Sequence, residues 1–301
     1  MRGKRAMPAA VPTAQVAGVY HRRVGDIVVT AISDGYLDGS MAVIQNIAEA
    51  EAAQLLRDAF RPVPRRTAVN CFLIHAGGRL ALVDNGCGSA MAATGGRLFE
   101  NLGAAGIRTT DIDTVLQTHL HPDHSNGLSD AAGHRRFPNA DLVLHAAELA
   151  FWHDDAAMAK ADETSRARNF QAARDQVAPY RRAGAVRTFE AGEVFPGVAA
   201  MPFPGHTPGH TGYLIASGGD TLLIWGDIIH VPEIQIPRPE VTMAFDIDPG
   251  QAQATRRRVF DMVATDKLAW AGMHMHFPGF SRLIRREGGV TMLPEAWSGA
   301  M

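Results

Sequence analysis

At 301 residues, of which 46% are hydrophobic and 20% charged, the chain has ample material for a core and too balanced a composition for disorder. Its 29 basic and 31 acidic residues leave a formal net charge of -2, which excludes the basic footprint of a nucleic-acid or anionic-membrane binder and argues against a polyanionic substrate. No apolar run reaches membrane-spanning length. The length prior allows two domains, but one α/β domain of this size is common. Cys71 and Cys87 lie outside zinc-finger spacing and read as free thiols.

Residues 1-16, rich in Ala and Pro, read as a flexible tail, and prolines at 8 and 12 interrupt any secretion-signal core, so a cytoplasmic location is expected. Two β-type runs, 19-23 and 26-32, flank Gly25 and predict an opening hairpin that ends at Ser33-Asp34-Gly35. Residues 47-60 carry apolar side chains at helical spacing. Strands are predicted at 68-74 and 79-83, the second running into Asp84-Asn85-Gly86, then a helix at 97-105 and a strand at 113-116. Next come a strand at 141-145, a helix at 146-154 whose Phe151 and Trp152 are left open between core and pocket wall, and one longer helix at 164-183. Strands at 186-189, 198-203, 212-216 and 221-225, a helix at 250-264, a strand at 267-271 and a hairpin around 286-289 complete the chain. The basic runs 61-66 and 256-258 read as solvated faces.

The chemistry concentrates in His119-Leu120-His121-Pro122-Asp123-His124, directly after a buried strand. In extended backbone His119 and His121 point the same way and can share one metal, while Asp123 and His124, beyond the bend at Pro122, can turn to a second. A solvated loop has no reason to set four ligand-type side chains against a buried strand. Asp84, at a strand end, is placed to hold a ligand imidazole by its other N–H, or else caps an Asx turn.

With these residues the chain resembles the metallo-β-lactamase superfamily, whose first motif is H-x-H-x-D-H. Pro204-Gly205-His206-Thr207-Pro208-Gly209-His210, Trp225-Gly226-Asp227 and Ala271-Gly272-Met273-His274 look like its later motifs, in family order. The resemblance implies a four-layer αββα sandwich formed by residues 17-301 as one domain. It implies seven ligands for two divalent ions, zinc expected: His119, His121, Asp123, His124, His206, His274 and a bridging Asp227. A water bridging two such ions would become a hydroxide nucleophile at neutral pH. Asp227 in the bridging role and His121 in place of Glu point away from true zinc β-lactamases and from the flavodiiron branch. The likeness is strongest to the branch of methyl parathion hydrolases and lactonases, through residues 27-35, Phe137-Pro138-Asn139-Ala140 and His274-Met275-His276-Phe277-Pro278-Gly279. Where acyl-homoserine lactonases have a Tyr three residues past the bridging Asp, this chain has His230, which either donates a hydrogen bond to the substrate or packs in a buried wall. Asp123 is the candidate for passing a proton to the departing alkoxide. His210 and His145 read as structural or as outer partners that hold the ligands, and His276 as a solvated neighbour of His274 or its substitute. The implied substrate is a small, neutral, fairly apolar ester, lactone or phosphotriester, with no nucleic-acid or membrane partner; a homodimer is left open. An iron-dependent oxygenase or sulfur-metabolism enzyme on the same fold, or a β-lactam hydrolase, stands as the alternative.

Overall fold

A computed structural model describes residues 11-89 and 91-300; of the expected tail, residues 1-10 lie outside the described residues. Two seven-stranded sheets form the centre. In the first, Val19–Val24, Ile27–Gly39, Arg65–Ala76, Arg79–Val83, Thr114–Leu116, Asp141–His145 and Val186–Phe189 lie side by side in chain order. In the second, the order is Gly289–Pro294, Phe280–Arg286, Ala269–Ala271, Asp220–Ile224, Thr211–Ser217, Val198–Pro202 and Gly192–Phe195.

The alternation of apolar residues explains the layering. Val29, Phe72, Ile74, Val83 and Leu116 of the first sheet meet Val198, Tyr213, Ile215, Ile224 and Phe280 of the second in one buried cluster. The opposite face of the first sheet, with Leu73, Leu82 and Leu142, packs on Leu98, Leu102, Trp152, Val177 and Tyr180 from helices. On the far face of the second, Leu223, Trp225 and Trp270 pack on Val259, Phe260 and Val263 of the helix Pro249–Thr265. Both faces of each sheet are therefore apolar and covered, which is the αββα sandwich.

Mixed strand direction positions the site. Arg79–Val83, Thr114–Leu116 and Asp141–His145 are parallel neighbours, and Asp220–Ile224 is parallel to Ala269–Ala271. Asp84, the His119–His124 segment, Asp227 and His274 all follow the carboxyl ends of these strands, where α/β sheets gather their ligands. The Tyr213 hydroxyl donates to Gln117 O at 2.6 Å and Thr211 N to Thr118 O at 3.0 Å, fastening the second sheet to the first motif.

Three expectations change. The strand Ile27–Gly39 does not stop at Ser33-Asp34-Gly35 but runs through it on a bulge. There Asp34 turns inward and accepts from the amides of Cys87, Gly96 and Leu98, while Gly35 at φ 113° leaves room for Thr94 O. The single helix expected at 164-183 is a short turn Glu163–Ser165, a π-helical stretch Arg166–Gln171 and a helix Ala172–Arg182. The wider stretch buries Phe170 while leaving Arg168 and Asn169 on a cavity wall. The basic runs are not wholly solvated: Arg65 is buried, and so is Arg256, which donates to the carbonyls of Ile228, Pro239 and Val241.

A satellite core that the sequence pattern did not announce pairs Ile44–Gln45 with Thr242–Met243 and packs Met41, Ala52 and Leu56 on Val231, Ile234 and Val241. It builds the wall behind His230.

Candidate metal centre

All seven expected ligands, with His230, converge at the edge where the sheets meet. His119 Nε2, His121 Nδ1 and His206 Nε2 form a triangle with sides of 3.1, 2.9 and 3.2 Å. Asp227 Oδ2 lies 3.2 Å from His124 Nε2, 3.1 Å from His274 Nε2, 3.4 Å from His206 Nε2, 3.7 Å from His119 Nε2 and 3.0 Å from His230 Nε2. Asp123 Oδ2 is 3.6 Å from His124 Nε2 and 3.4 Å from His274 Nε2. Asp227 thus stands between one group, His119, His121 and His206, and another, Asp123, His124 and His274.

The proton arrangement of the braces decides which nitrogen each ring offers. His124 Nδ1 is 2.8 Å from Asp84 Oδ2, His206 Nδ1 is 2.7 Å from Asp246 Oδ1, and His274 Nδ1 is 2.9 Å from Ala68 O. Each partner can only accept, so Nδ1 carries the hydrogen and the Nε2 lone pair points inward. His119 follows suit, since Thr118 Oγ1 gives its hydrogen to Asp84 Oδ2 at 2.7 Å and is left to accept from His119 Nδ1 at 3.0 Å. Asp84 also takes the Thr118 amide at 2.8 Å, so it is the acceptor expected of it, and its φ of 56° supplies the turn as well.

Lone pairs aimed at one another across about 3 Å repel unless a cation lies among them. An ion about 2.0–2.1 Å from each of four tetrahedral ligands spaces the ligand atoms about 3.3 Å apart. The triangle matches that spacing, and Asp227 Oδ1 is a buried carboxylate oxygen with no hydrogen-bond partner. The residues present therefore fit divalent ions.

The electrostatics of the bare protein run the same way. Burial raises the Asp227 carboxyl, but His124, His274, His230 and His119 outweigh it and hold it well below the usual carboxylate range. Burial pushes His119 and His121 well down, leaving neutral, ligand-ready imidazoles. For His124 burial is overcome by Asp227, Asp123 and Asp84, and the ring is held well above its ordinary value. A proton there does part of the work a cation would do.

Glu148, Gln117 and Asp246 were not singled out from the sequence. Glu148 is fully buried and accepts from the amides of Leu120 and Gly209, Trp152 Nε1 and Thr207 Oγ1, at 2.6 to 3.0 Å. It ties the first motif to the His206 loop, and its lone acid in Ala146-Ala147-Glu148-Leu149-Ala150 was the available signal. Gln117 donates from Nε2 to the carbonyls of His119 and His124, and Asn85, in the turn after Asp84, donates to Gln117 Oε1. Asp246 sits in an irregular segment with no pattern to reveal it. His210, read as structural or as an outer partner of the ligands, accepts the Asp227 amide at 2.8 Å, with Gly226 at φ 63° making space for its ring. His145 caps the helix Ala146–Trp152 away from the cluster. His276 turns away to Glu233 at 2.5 Å and lies 3.3 Å from an Arg61 nitrogen, so it neither replaces His274 nor stands free in solvent.

A cavity of about 600 Å³ opens on this centre. Leu37, Val43, Met91 and Phe245 give it apolar surface, and Arg65, Thr67, Asp123 and His230 polar groups. His230 is buried and pushed down to about 4, first by burial against the opposing pull of Asp227; its two ring nitrogens make no aligned hydrogen bond. Among the described residues no helix is long and apolar enough to cross a membrane.

Residues 64-268 match the family model described as the metallo-beta-lactamase superfamily. Among solved structures, the hydrolase AbOPH of the beta lactamase superfamily is similar at 31% identity and a TM-score of 0.89, over 95% of this chain and 100% of that one. AidC, a dizinc quorum-quenching lactonase, is similar in fold at 24% identity and a TM-score of 0.86, over 94% of this chain and 99% of its own. A Bacillus subtilis protein of uncharacterised role, YobT, is 25% identical over 164 residues, which span 54% of this chain and 63% of its relative. With a family model covering well over half of its length and every expected ligand gathered at one edge, the chain belongs to the metallo-beta-lactamase superfamily.

Proposed function

We propose that this metal-dependent hydrolase of the superfamily works as one domain with two divalent ions, zinc by the nitrogen-rich donor set, and cleaves small, fairly apolar esters, lactones or phosphotriesters. The observation that carries the reading is Asp227 standing between two donor groups, His119, His121 and His206 on one side and Asp123, His124 and His274 on the other. When bound, such ions supply an activated water as nucleophile and an electrophile for the carbonyl or phosphoryl oxygen under attack.

The protein's own residues do the rest. Asp84, Asp246 and the Ala68 carbonyl hold the imidazoles in one tautomer, and Glu148 keeps the loops in place. Asp123, held low by His124 and His274 against its burial, is ionised and takes a proton that it can pass to the departing alkoxide. His230, neutral at pH 7, has a single N–H, which the 3.0 Å approach of Nε2 to Asp227 holds at Nε2; once Asp227 is committed to the ions, that hydrogen is free to be donated to the substrate oxygen. Leu37, Met91 and Phe245 receive the apolar part of the substrate, as the apolar surface of binding pockets generally does. The likeness to AbOPH, a hydrolase, and to AidC, a lactonase, supports the choice of reaction class.

The test is elemental analysis of untreated protein together with a panel of an acyl-homoserine lactone, a δ-lactone, a paraoxon-type triester, an aryl ester and a β-lactam. Two zinc per chain and turnover of an ester, lactone or triester are expected. One iron per chain, or turnover of the β-lactam alone, overturns the proposal.

A further inference from the structure

Arg65 is the one buried charge at this cavity that the hydrolytic scheme leaves without a task. It begins the strand Arg65–Ala76, where Arg65, Thr67 and Val69 point to the buried side, and it lines the cavity together with Asp123, His230 and His274. The residue is only 8% exposed. Among the described residues no carboxylate comes within ion-pairing distance of it, since it is absent from every salt bridge including those of the neighbouring Arg61 and Arg66. One terminal nitrogen donates to Thr67 Oγ1, and the Nε hydrogen has no acceptor.

The site is built around this cation. Gly39 lies opposite Arg65 in the strand pair, and a Cβ there would stand 2.7 Å from the guanidinium carbon, so a side chain at 39 would displace it. Burial lowers the guanidinium and Asp123 raises it, yet an arginine starts so far above neutrality that it stays charged there. A buried cation with an idle donor is costly unless a counter-charge arrives. The protein offers none at ion-pair distance, and two dications nearby would sharpen the need. Ester and lactone hydrolysis produces such a charge. The water oxygen bonds to the acyl carbon and the bond to the alkoxide oxygen breaks. One water proton goes to the alkoxide, the other to solvent, and a carboxylate remains.

Building on the hydrolase reading, we propose that Arg65 is the anion-binding residue of the cavity and that its guanidinium takes a carboxylate of the ligand at the Asp123 and His274 side. That carboxylate is either the one hydrolysis creates or one the substrate already carries. Arginine suits the task because its planar fork meets both oxygens of a carboxylate.

Titration calorimetry on the metal-loaded protein tests this with pentanoate, glutarate and neutral pentanamide, on wild type, Arg65→Gln and Arg65→Lys, with metal content and circular dichroism checked for each. In Arg65→Gln pentanoate is expected to bind ~10- to 100-fold more weakly, the scale of a hydrogen bond to a charged group, with pentanamide unchanged. That pattern, with no preference for glutarate, identifies the carboxylate formed in the reaction. A glutarate preference of about tenfold in wild type that vanishes in the variant identifies a carboxylate borne by the substrate. If Arg65→Gln does not fold, Arg65→Lys carries the test, because loss of the fork should still weaken anion binding several-fold. Anion affinities within twofold of wild type in the folded variants overturn the proposal. Its failure is distinct from that of the hydrolase reading: the substrate panel can succeed while anion binding ignores Arg65, or fail while anion binding depends on it.

Discussion

The two halves of the candidate centre are braced alike but exposed differently. His119, His121 and His206 back onto Glu148, Trp152 and Asp246, with the His121 and Trp152 rings 5.4 Å apart edge to face. Asp123 and His274 face the cavity, with His124 fully buried behind them and His121 the one ring of the other half that reaches the lining, and the Asp123 side chain keeps 18% of its surface. Asp227 is common to both. The closed half has the chemistry of an anchor, whereas the open half must admit substrate, release product and tolerate Arg65 nearby.

The largest effect should come from removing what the halves share. Asp227→Ala is expected to lose at least one ion per chain and about 10³-fold or more in kcat/KM, several kcal/mol of transition-state stabilisation. Elemental analysis and steady-state kinetics measure this together, and unchanged turnover would take Asp227 out of the centre. Next is the group that leans on Asp227 from the cavity wall. His230→Ala should lower kcat by about 10²–10³ with metal content intact, the scale of one lost donor to a developing oxyanion. A variant with full kcat but a lower thermal midpoint would make His230 a packing residue, and one that sheds an ion would make it a further ligand beside His206 and Asp227.

The smallest effect separates the two braces, whose pKa shifts have opposite sign. Asp246 is held at about 2, burial being outweighed by the hydrogen bond and charge of His206, whereas burial leaves Asp84 raised above 3.8 despite His124. A depressed carboxyl stabilises the fold above its unfolded value of about 3.9 and loses that contribution as pH falls through 2. A raised one favours folding below the unfolded value and gives that up as pH rises through the folded value. In metal-free protein Asp246→Asn should therefore cost about 2 kcal/mol at pH 7 and little near pH 2, while Asp84→Asn costs less at pH 7. Denaturant unfolding at the two pH values decides it, and equal costs at pH 7 would erase the distinction. With metal, Asp84→Asn should weaken ion binding about 10- to 100-fold, as loss of an outer hydrogen-bond partner does.

The ligands were legible because short spacing in extended backbone fixes where side chains point, so His119, His121, Asp123 and His124 could be read as a unit. Asp227, His206 and His274 needed the family pattern, since nothing in a sequence measures distance across two sheets. Strand and helix positions followed apolar periodicity well. The pattern failed at Asp34, where three amides turn a predicted stop into a bulge, and at 166-171, where a single π-helical turn is too short to show a period different from that of the α-helix it joins. Glu148, Asp246 and Arg65 were missed for one reason: a charged residue reads as surface until its partners are known.

His124 and His274, whose Nε2 atoms stand 3.3 Å apart, are 150 positions apart in the chain. A centre closed over that separation cannot form from local contacts, and the entropy of closing so long a loop falls on the final docking of the two sheets. Ions bound only by the docked form raise the population of that form in proportion to their concentration. Chelation then acts on the whole chain: the sheets part more readily, the thermal midpoint falls with free metal, and proteases find the region between residues 124 and 274 sooner.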